Sequence, residues 1–499
     1  MALETELKLG LSPGDLPRLL AHPLLAGQAP QRQRLDNTYF DTPELELLRR
    51  RMAVRERRIG RQTLLTVKTA GSQVGGLARR GEWEGPTEPG RFDFAALVDE
   101  PALAQELAAL AGRLVPVFST DFSRRSWLLR QGRARIEVAL DRGRIRSQTA
   151  QGPRQATLLE LELELLDGPV DALFGLAQSL SRAAPLRPLA SSKAERGYAL
   201  FLDRPPAPRR AAAIALTPDM APLQAFRLIA LESLAQLQAN EAGLLQRLED
   251  VEYVHQARVA LRRLRSALRL FAPILPAPFV RRWSREWQGL AQSLGDARDW
   301  DVLCTEGLPR LAEALGPAVS RIERHARARR TAARAAARAS LAAPRHAQQL
   351  LAFTRALLKL SEAPDAAPPP LVDWARERLA ARHRKVRRGA RATAQLAPEA
   401  RHALRIELKK LRYALDFLAS LFPPKRVQPY SRALAAAQDL LGRMNDLATA
   451  QRLLAGAPQA GLEALPAWLE QQTDTLARQL PEALAPLRQA APPWKKRRG

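Results

Sequence analysis

The chain has 499 residues, 46% of them hydrophobic and 26% charged, which is enough for two or three domains with proper cores. Its net charge of +27 is unevenly placed. Residues 1–203 carry 29 Lys+Arg against 25 Asp+Glu, so nearly all the excess lies downstream, where a long polyanion should dock. The single cysteine, Cys304, excludes an internal disulfide framework and every Cys-based zinc spacing. No run of eighteen apolar residues and no basic-then-apolar leader occurs, so the expectation is a cytoplasmic protein that neither crosses a membrane nor is secreted.

In chain order, the first predicted element is a strand, Leu3–Leu9, in which Glu4, Glu6 and Lys8 share one face and Leu3, Leu7 and Leu9 the other. Helical stretches are expected near Asp15–Leu25, Glu44–Arg51, Glu100–Ala111 and Val170–Ala183. Between them the strand parity repeats. Arg55 and Arg57 share a face, as do Thr66 and Lys68, and Arg80, Glu82 and Glu84 stand opposite Trp83. Farther on, Arg133, Arg135 and Glu137 alternate with Ala134, Ile136 and Val138, and Glu160, Glu162 and Glu164 alternate with leucines. The apolar faces require cover and the helices can supply it. The charged faces then line either an open sheet with a wet side or a closed antiparallel barrel with a polar interior. Carboxylates suit Mg²⁺ or Mn²⁺, and Arg and Lys suit phosphate oxygens, so the set has the ingredients for metal-assisted cleavage of a phosphoanhydride.

Glu4-x-Glu6-x-Lys8 at the amino terminus resembles the signature of the CYTH superfamily, the triphosphate tunnel metalloenzymes. Asn37-Thr-Tyr39-Phe-Asp41, Arg55-Glu-Arg57, Thr66-Val-Lys68, Arg80-Gly-Glu82-Trp83-Glu84, Arg124-Arg-Ser-Trp127, Glu137-Val-Ala-Leu-Asp141, Glu160-Leu-Glu162-Leu-Glu164 and Ser192-Lys193-Ala-Glu-Arg196 follow in family order. The resemblance implies an α+β domain over 1–203 built as an eight-stranded antiparallel tunnel that binds a triphosphate. It implies divalent metal, Mg²⁺ or Mn²⁺, at Glu4, Glu6, Asp141, Glu160 and Glu162. It also implies phosphate contacts from Lys8, Arg55, Arg57, Lys68, Arg80, Arg124, Lys193 and Arg196, with Glu4, Glu6 and Lys8 as the catalytic set. The sequence leaves open whether Arg124 or Arg125 points inward. For His22, a loop or helix-end role is expected.

A Pro-rich stretch at 204–216 reads as a stiff linker. From Thr217 the pattern becomes helical, and a second Pro-rich break, Ala363–Pro370, separates two copies of one motif. His255-x-x-Arg258-x-x-Leu261-Arg262-Arg263-Leu264-Arg265 recurs as His402-x-x-Arg405-x-x-Leu408-Lys409-Lys410-Leu411-Arg412, and Leu294-Gly295 with Asp299 recurs as Leu441-Gly442 with Asp446. Two blocks in one register indicate a duplication, with copies around 217–362 and 371–495. His255, Arg258, Arg262 and Arg265, like His402, Arg405, Lys409 and Arg412, form one cationic line beside a leucine line. Metal binding by the histidines is disfavoured by their cationic neighbours. Dense cation lines with few aromatics favour a repetitive polyanion over single-stranded nucleic acid. These lines resemble the CHAD domain, which implies an all-α domain over 217–495 of two four-helix bundles that binds inorganic polyphosphate. The tail Pro492–Gly499 is expected to be disordered.

The combined expectation is a bacterial, cytoplasmic hydrolase of inorganic triphosphate with a polyphosphate-binding domain that could associate with polyphosphate granules, and with nucleic acid not a specific partner. Thiamine triphosphate or another organic triphosphate as substrate, or a non-catalytic polyphosphate-binding role, stays open.

Overall fold

Period-2 alternation becomes a closed barrel in the computed structural model, which describes residues 2–149, 151–361, 369–391, 397–457 and 463–495. The strands are β1 (Ala2–Gly10), β2 (Gln31–Asp41), β3 (Ala53–Ile59), β4 (Gln62–Lys68), β5 (Ser72–Val74), β6 (Leu77–Pro86), β7 (Val115–Gln131), β8 (Ala134–Thr149), β9 (Gly152–Asp167) and β10 (Arg187–Pro188). Eight of them pair in the order β1-β9-β8-β7-β2-β3-β4-β6, and β6 returns to β1 to close the ring; β5 and β10 are short additions. Every pairing is antiparallel, and closure sets Glu4 opposite Arg80 on one side of β1 and Lys8 opposite Glu162 on the other. Among the described residues, closure leaves no long sheet edge exposed and encloses the polar face that an open sheet would have left in water.

The outward apolar rows are covered as their spacing demands. Leu7, Leu9, Ile136, Val138, Leu161 and Leu163 pack on Leu173, Phe174, Leu176 and Leu180 of the helix Asp171–Ala183. Val54, Leu65, Val67 and Trp83 pack under Leu103 and Leu107 of the helix Pro101–Ala108. The helix Lys193–Phe201, the closing helix, packs against β7, β8 and β9. Its Gly197 sits on Phe118, its Tyr198 hydroxyl donates to Asp41 Oδ2 at 2.8 Å, and a reciprocal Ser192–Glu195 capping box fixes its start. His22 caps the short helix Pro23–Ala26 by accepting from the Leu24 amide, the helix-end role expected of it.

Packing divides the chain into two units, 1–207 with 342–359, and 208–341 with 360–499. The expected domain limits did not foresee that the helix Pro344–Lys359, downstream of the linker and inside the first helical copy, belongs with the barrel. Leu351 of that helix is fully buried in the barrel's largest core cluster, and Arg355 and Lys359 pair with Asp171.

The second unit is helical. Its long helices run Pro222–Leu245, Val251–Phe271, Ala277–Val302 and Ser320–Ala342, then Leu371–Arg391, Pro398–Leu418, Pro424–Leu454 and Leu465–Gln489. The duplication is visible in their limits. Helical segments beginning at 251, 272 and 277 in the first copy begin again at 398, 419 and 424 in the second, the offset of the sequence motifs. The leucine lines Leu261, Leu264, Leu268 and Leu408, Leu411, Leu415 are all buried. The linker 204–216 has no regular structure, as its prolines predict. Most of the second Pro-rich break, 363–368, and the last residues, 496–499, lie outside the described residues. The expectation of a disordered tail fails for the part that is described. Trp494 is buried, packs edge-on against His383 and Tyr430, and is flanked by carbonyls of Pro492 and Lys495 that accept from Arg426. Burial of one indole offsets the ordering of a short polar segment.

A Cβ at position 197 would come within 2.1 Å of the Phe118 ring. Gly197→Ala is expected to unseat the closing helix at a cost of about 2 kcal/mol, read as a lower midpoint in thermal unfolding.

Candidate functional site

Inside the barrel, strand register decides which charges meet. Asp141 of β8 stands opposite Glu160 of β9, and Glu162 is the next inward residue along β9. Carboxylate oxygens of Asp141, Glu160 and Glu162 lie within 4.8 Å of one another, and all three residues are buried. Lys193 reaches into this group from the closing helix, its Nζ 2.8 Å from both Asp141 Oδ2 and Glu162 Oε1 and in contact with Glu160. Arg124 donates to both Asp141 oxygens at 2.8 and 2.7 Å and to Glu162 at 2.7 Å, while Arg196 pairs with Glu160. Lys8 completes the knot, 2.8 Å from Glu162 and 2.9 Å from Glu6.

The electrostatics follow from these distances. Burial disfavours the Glu162 carboxylate, but Lys193, Lys8 and Arg124 outweigh it and hold its pKa well below the ordinary range. Burial works against the Lys193 ammonium too, and Asp141, Glu160 and Glu162 reverse that and raise its pKa. Glu164 is the opposite case. Burial and then the repulsion of Glu4, Glu6, Glu82 and Glu137 push its carboxyl up to about 7.

The other wall carries more of the cations. Arg80 donates to Glu4 at 2.9 Å and Glu6 at 2.7 Å, and Lys68 donates to Glu4 at 3.0 Å and Glu82 at 2.8 Å. Arg55 donates to the Thr66 hydroxyl at 3.2 Å, and Arg57 donates to Asn37 at 3.1 Å and pairs with Glu84 at 3.3 Å. Burial and the neighbouring Arg55 bring Arg57 down to about 10. Together these side chains border a cavity of about 660 Å³, with Tyr39, Phe122 and Ser126 among its walls.

A second cavity, of about 390 Å³, lies within the helical unit between the two sequence copies. His255, Arg258 and Arg262 reach it from the helix Val251–Phe271, and Arg405 and Lys409 from Pro398–Leu418, with Arg298, Asp299, Gln438, Arg443 and Asp446 around them. Burial, then Arg405, Arg262 and Arg258, lower the Lys409 ammonium to about 7. Desolvation is the larger cause, and the crowding of cations with few anions adds to it.

Residues 2–198 match the CYTH domain family and residues 228–455 the CHAD domain family, which together span more than half of the chain. The chain joins a CYTH domain to a CHAD domain. A curated relative, the inorganic triphosphatase of Haemophilus influenzae, is 34% identical over 203 residues, 40% of this chain and 55% of that protein, so the chain spans about half the length of that relative. Among solved structures, the CHAD domain from the plant Ricinus communis is 31% identical, with 57% of this chain and 98% of that one covered and a TM-score of 0.48. An adenylyl cyclase candidate from Hippeastrum, described as having a dominant triphosphatase activity, is 18% identical, with 39% and 95% covered and a TM-score of 0.31.

In the CYTH domain the expected residues converge. Lys8, Arg55, Arg57, Lys68, Arg80, Arg124, Lys193, Glu4 and Glu162 all border the one cavity. Glu6 and Arg196 stand just behind it in ion pairs. Arg124 is the inward residue of the Arg124-Arg125 pair. Of the five carboxylates expected to hold metal, Asp141, Glu160 and Glu162 cluster, whereas Glu4 and Glu6 stand beside Lys68 and Arg80. Tyr39, Asn37 and Phe122 were not foreseen as cavity or network residues. Their inward parity on β2 and β7 carries the signal, but without charge it was silent.

In the CHAD domain the symmetry of the sequence is only partly kept. His255, Arg258, Arg262, Arg405 and Lys409 share the cavity; Arg265, His402 and Arg412 do not line it. His402 is exposed and Arg412 turns to Gln438 and Asp416. Arg298, Gln438 and Arg443 were missed, since each sits outside the repeated histidine block.

Glu162 binds two buried ammonium groups, so Glu162→Gln is expected to cost about 3 kcal/mol. Its depressed pKa means that this stability is present above about pH 4, the unfolded carboxylate value, and is lost as pH falls through the folded one. Thermal unfolding between pH 3 and 7 should show that loss in the wild type and a flatter profile in the variant.

Proposed function

We propose that the CYTH domain hydrolyses inorganic triphosphate with the aid of a divalent metal, and that the CHAD domain binds inorganic polyphosphate. The observation that carries the first reading is the charge balance of the bore. Seven cationic side chains (Lys8, Arg55, Arg57, Lys68, Arg80, Arg124 and Lys193) border it with six carboxylates (Glu4, Glu82, Glu84, Glu137, Glu162 and Glu164). Glu6, Asp141 and Glu160 add three more in ion pairs behind them. A bore lined only to capture a polyanion would have no use for that many carboxylates. Their presence is explained if the triphosphate arrives with divalent cations, as a nearly neutral unit.

Asp141, Glu160 and Glu162 offer oxygen atoms close enough to share one small cation, and Glu4 and Glu6 supply further oxygens along β1. Mg²⁺ or Mn²⁺ bound there would neutralise phosphate charge and favour attack by water on the terminal phosphorus. Lys193 holds the same carboxylates, so an ammonium and a metal ion compete for one site. The rest is done by side chains of this chain. Lys8, Arg55, Arg57, Lys68, Arg80 and Arg124 exchange carboxylate partners for phosphate oxygens. They orient the chain along the bore and stabilise charge on the equatorial oxygens as the P–O bond breaks. The name of the curated relative supports this substrate.

Phosphate release from triphosphate with Mg²⁺ is expected to fall by about a hundredfold or more in Glu4→Ala/Glu6→Ala. Unchanged release would remove the tunnel assignment.

For the CHAD domain, the support is the set of cations contributed by both copies to one cavity. Retention of the full chain on immobilised polyphosphate should weaken with salt and drop in Arg258→Ala/Arg405→Ala. A bound polyanion favours the charged form of Lys409, whose pKa is lowered to about 7. Affinity is therefore expected to fall as pH rises from 6 to 8, with a shallower slope in Lys409→Met.

A further inference from the structure

The helix Pro344–Lys359 reaches the barrel from a stretch of chain whose neighbours on both sides belong to the helical unit. It is anchored firmly. Arg355 donates to both oxygens of Asp171 at 2.7 and 2.8 Å and to Gln178 at 2.7 Å, so one guanidinium grips two turns of the helix Asp171–Ala183. Arg187 of β10 donates to the Ala342 carbonyl at 2.9 Å.

What the helix supports is more telling than how it is held. Thr354 is buried against the Gly75–Gly76 turn that leads into β6, and both glycines have left-handed φ values of +65° and +84°. A Cβ on Gly75 would lie 2.2 Å from the Thr354 hydroxyl, so the turn and the helix are in the closest contact that glycine allows. The Gly76 carbonyl accepts the backbone N–H of Lys8 at 2.9 Å, and the Lys8 carbonyl accepts from Leu189 at 2.9 Å. Leu351 shares a core cluster with Leu7 and Leu9, the two neighbours of Lys8. The helix therefore backs the one segment of β1 whose side chain joins Glu6 to Glu162 inside the bore.

We propose that the helix Pro344–Lys359 is a positioning element of the tunnel: through Leu351, Thr354 and the Gly75–Gly76 turn it fixes Lys8 in register with Glu162. The working tunnel is then discontinuous in sequence, residues 1–207 completed by a helix borrowed from the stretch between the two helical repeats. For catalysis this rests on the triphosphatase reading; for structure it does not, and the experiment separates the two.

Hydrogen exchange at the Lys8 amide, measured in the full chain well below its unfolding temperature, reads the positioning directly. In Arg355→Ala and in Leu351→Ala the Lys8 amide is expected to exchange about tenfold faster or more, while amides of β2 and β3, across the ring from β1, keep wild-type rates. Triphosphate turnover should show a lower kcat with KM within about twofold, and Arg355→Lys should recover part of it. Polyphosphate retention should be unchanged. Wild-type exchange at Lys8 in both variants would overturn the proposal, as would an equal acceleration at every strand, which would mark a merely stabilising helix. Should Leu351→Ala fail to fold, Arg355→Ala and its partner-side counterpart Asp171→Asn decide the matter. If the wild type proves to have no triphosphatase activity, only the catalytic reading is lost and the Lys8 exchange still stands as the test.

Discussion

Charges can be buried in a barrel only when opposite charges meet inside it, and the arrangement of the first unit follows from that constraint. Taking a single carboxylate or ammonium out of water unpaired costs several kcal/mol. Here Glu162 answers Lys8 and Lys193, Asp141 answers Arg124, Glu4 answers Arg80 and Lys68, and Glu84 answers Arg57. These pairs join residues far apart in sequence, so they tie register, closure and the closing helix into one arrangement. A slip of β1 by one residue would turn Glu4, Glu6 and Lys8 into the leucine core and Leu7 and Leu9 into the bore. The same pairs that make the barrel tolerable leave its lining ready to trade partners with an incoming ligand, because an ion pair can be exchanged for another at small net cost.

The second unit solves the reverse problem. Its cavity gathers cations from both repeats with few anions to answer them, and burial together with that crowding lowers the pKa of Lys409. Burying a stripe of leucines on the inner side of each helix forces the adjoining cationic stripe to one side. Where two such helices come together, the stripes converge. Asp299 relieves part of the repulsion through Arg452 and Arg258, and Arg262 lies over the Tyr413 ring. The lining of the bore is thus nearly balanced in charge, and that of the helical cavity is not.

How much of this was legible in the sequence depends on the range of the interaction. Strand parity is a local property, and it placed Lys8, Arg55, Arg57, Lys68, Glu160 and Glu162 on the inner face. The choice between an open sheet and a barrel was not local, because it turns on the pairing of β1 with β6. The partition of the carboxylates needed the β8–β9 register, which no single segment contains. In the helical half the offset between copies carries over to the helix starts, yet not to the exposure of the two histidines. Whether His255 or His402 faces a cavity depends on which helices cross above it, and the two copies have different neighbours. The helix Pro344–Lys359 was illegible for a plain reason: its apolar spacing is that of any amphipathic helix, and nothing in it names the surface it will cover. Trp494 was overlooked because the run around it is rich in proline and basic residues, and a single indole was enough to seat it.

The helix Lys193–Phe201 has a consequence for where the barrel can be cut. Among the described residues, Lys193 and Arg196 are the two cations that pair with Glu160, and both come from this helix. A fragment that stops before it would strip Glu160 of both and leave a buried carboxylate unanswered, at a cost of several kcal/mol. The smallest self-sufficient barrel therefore includes this helix.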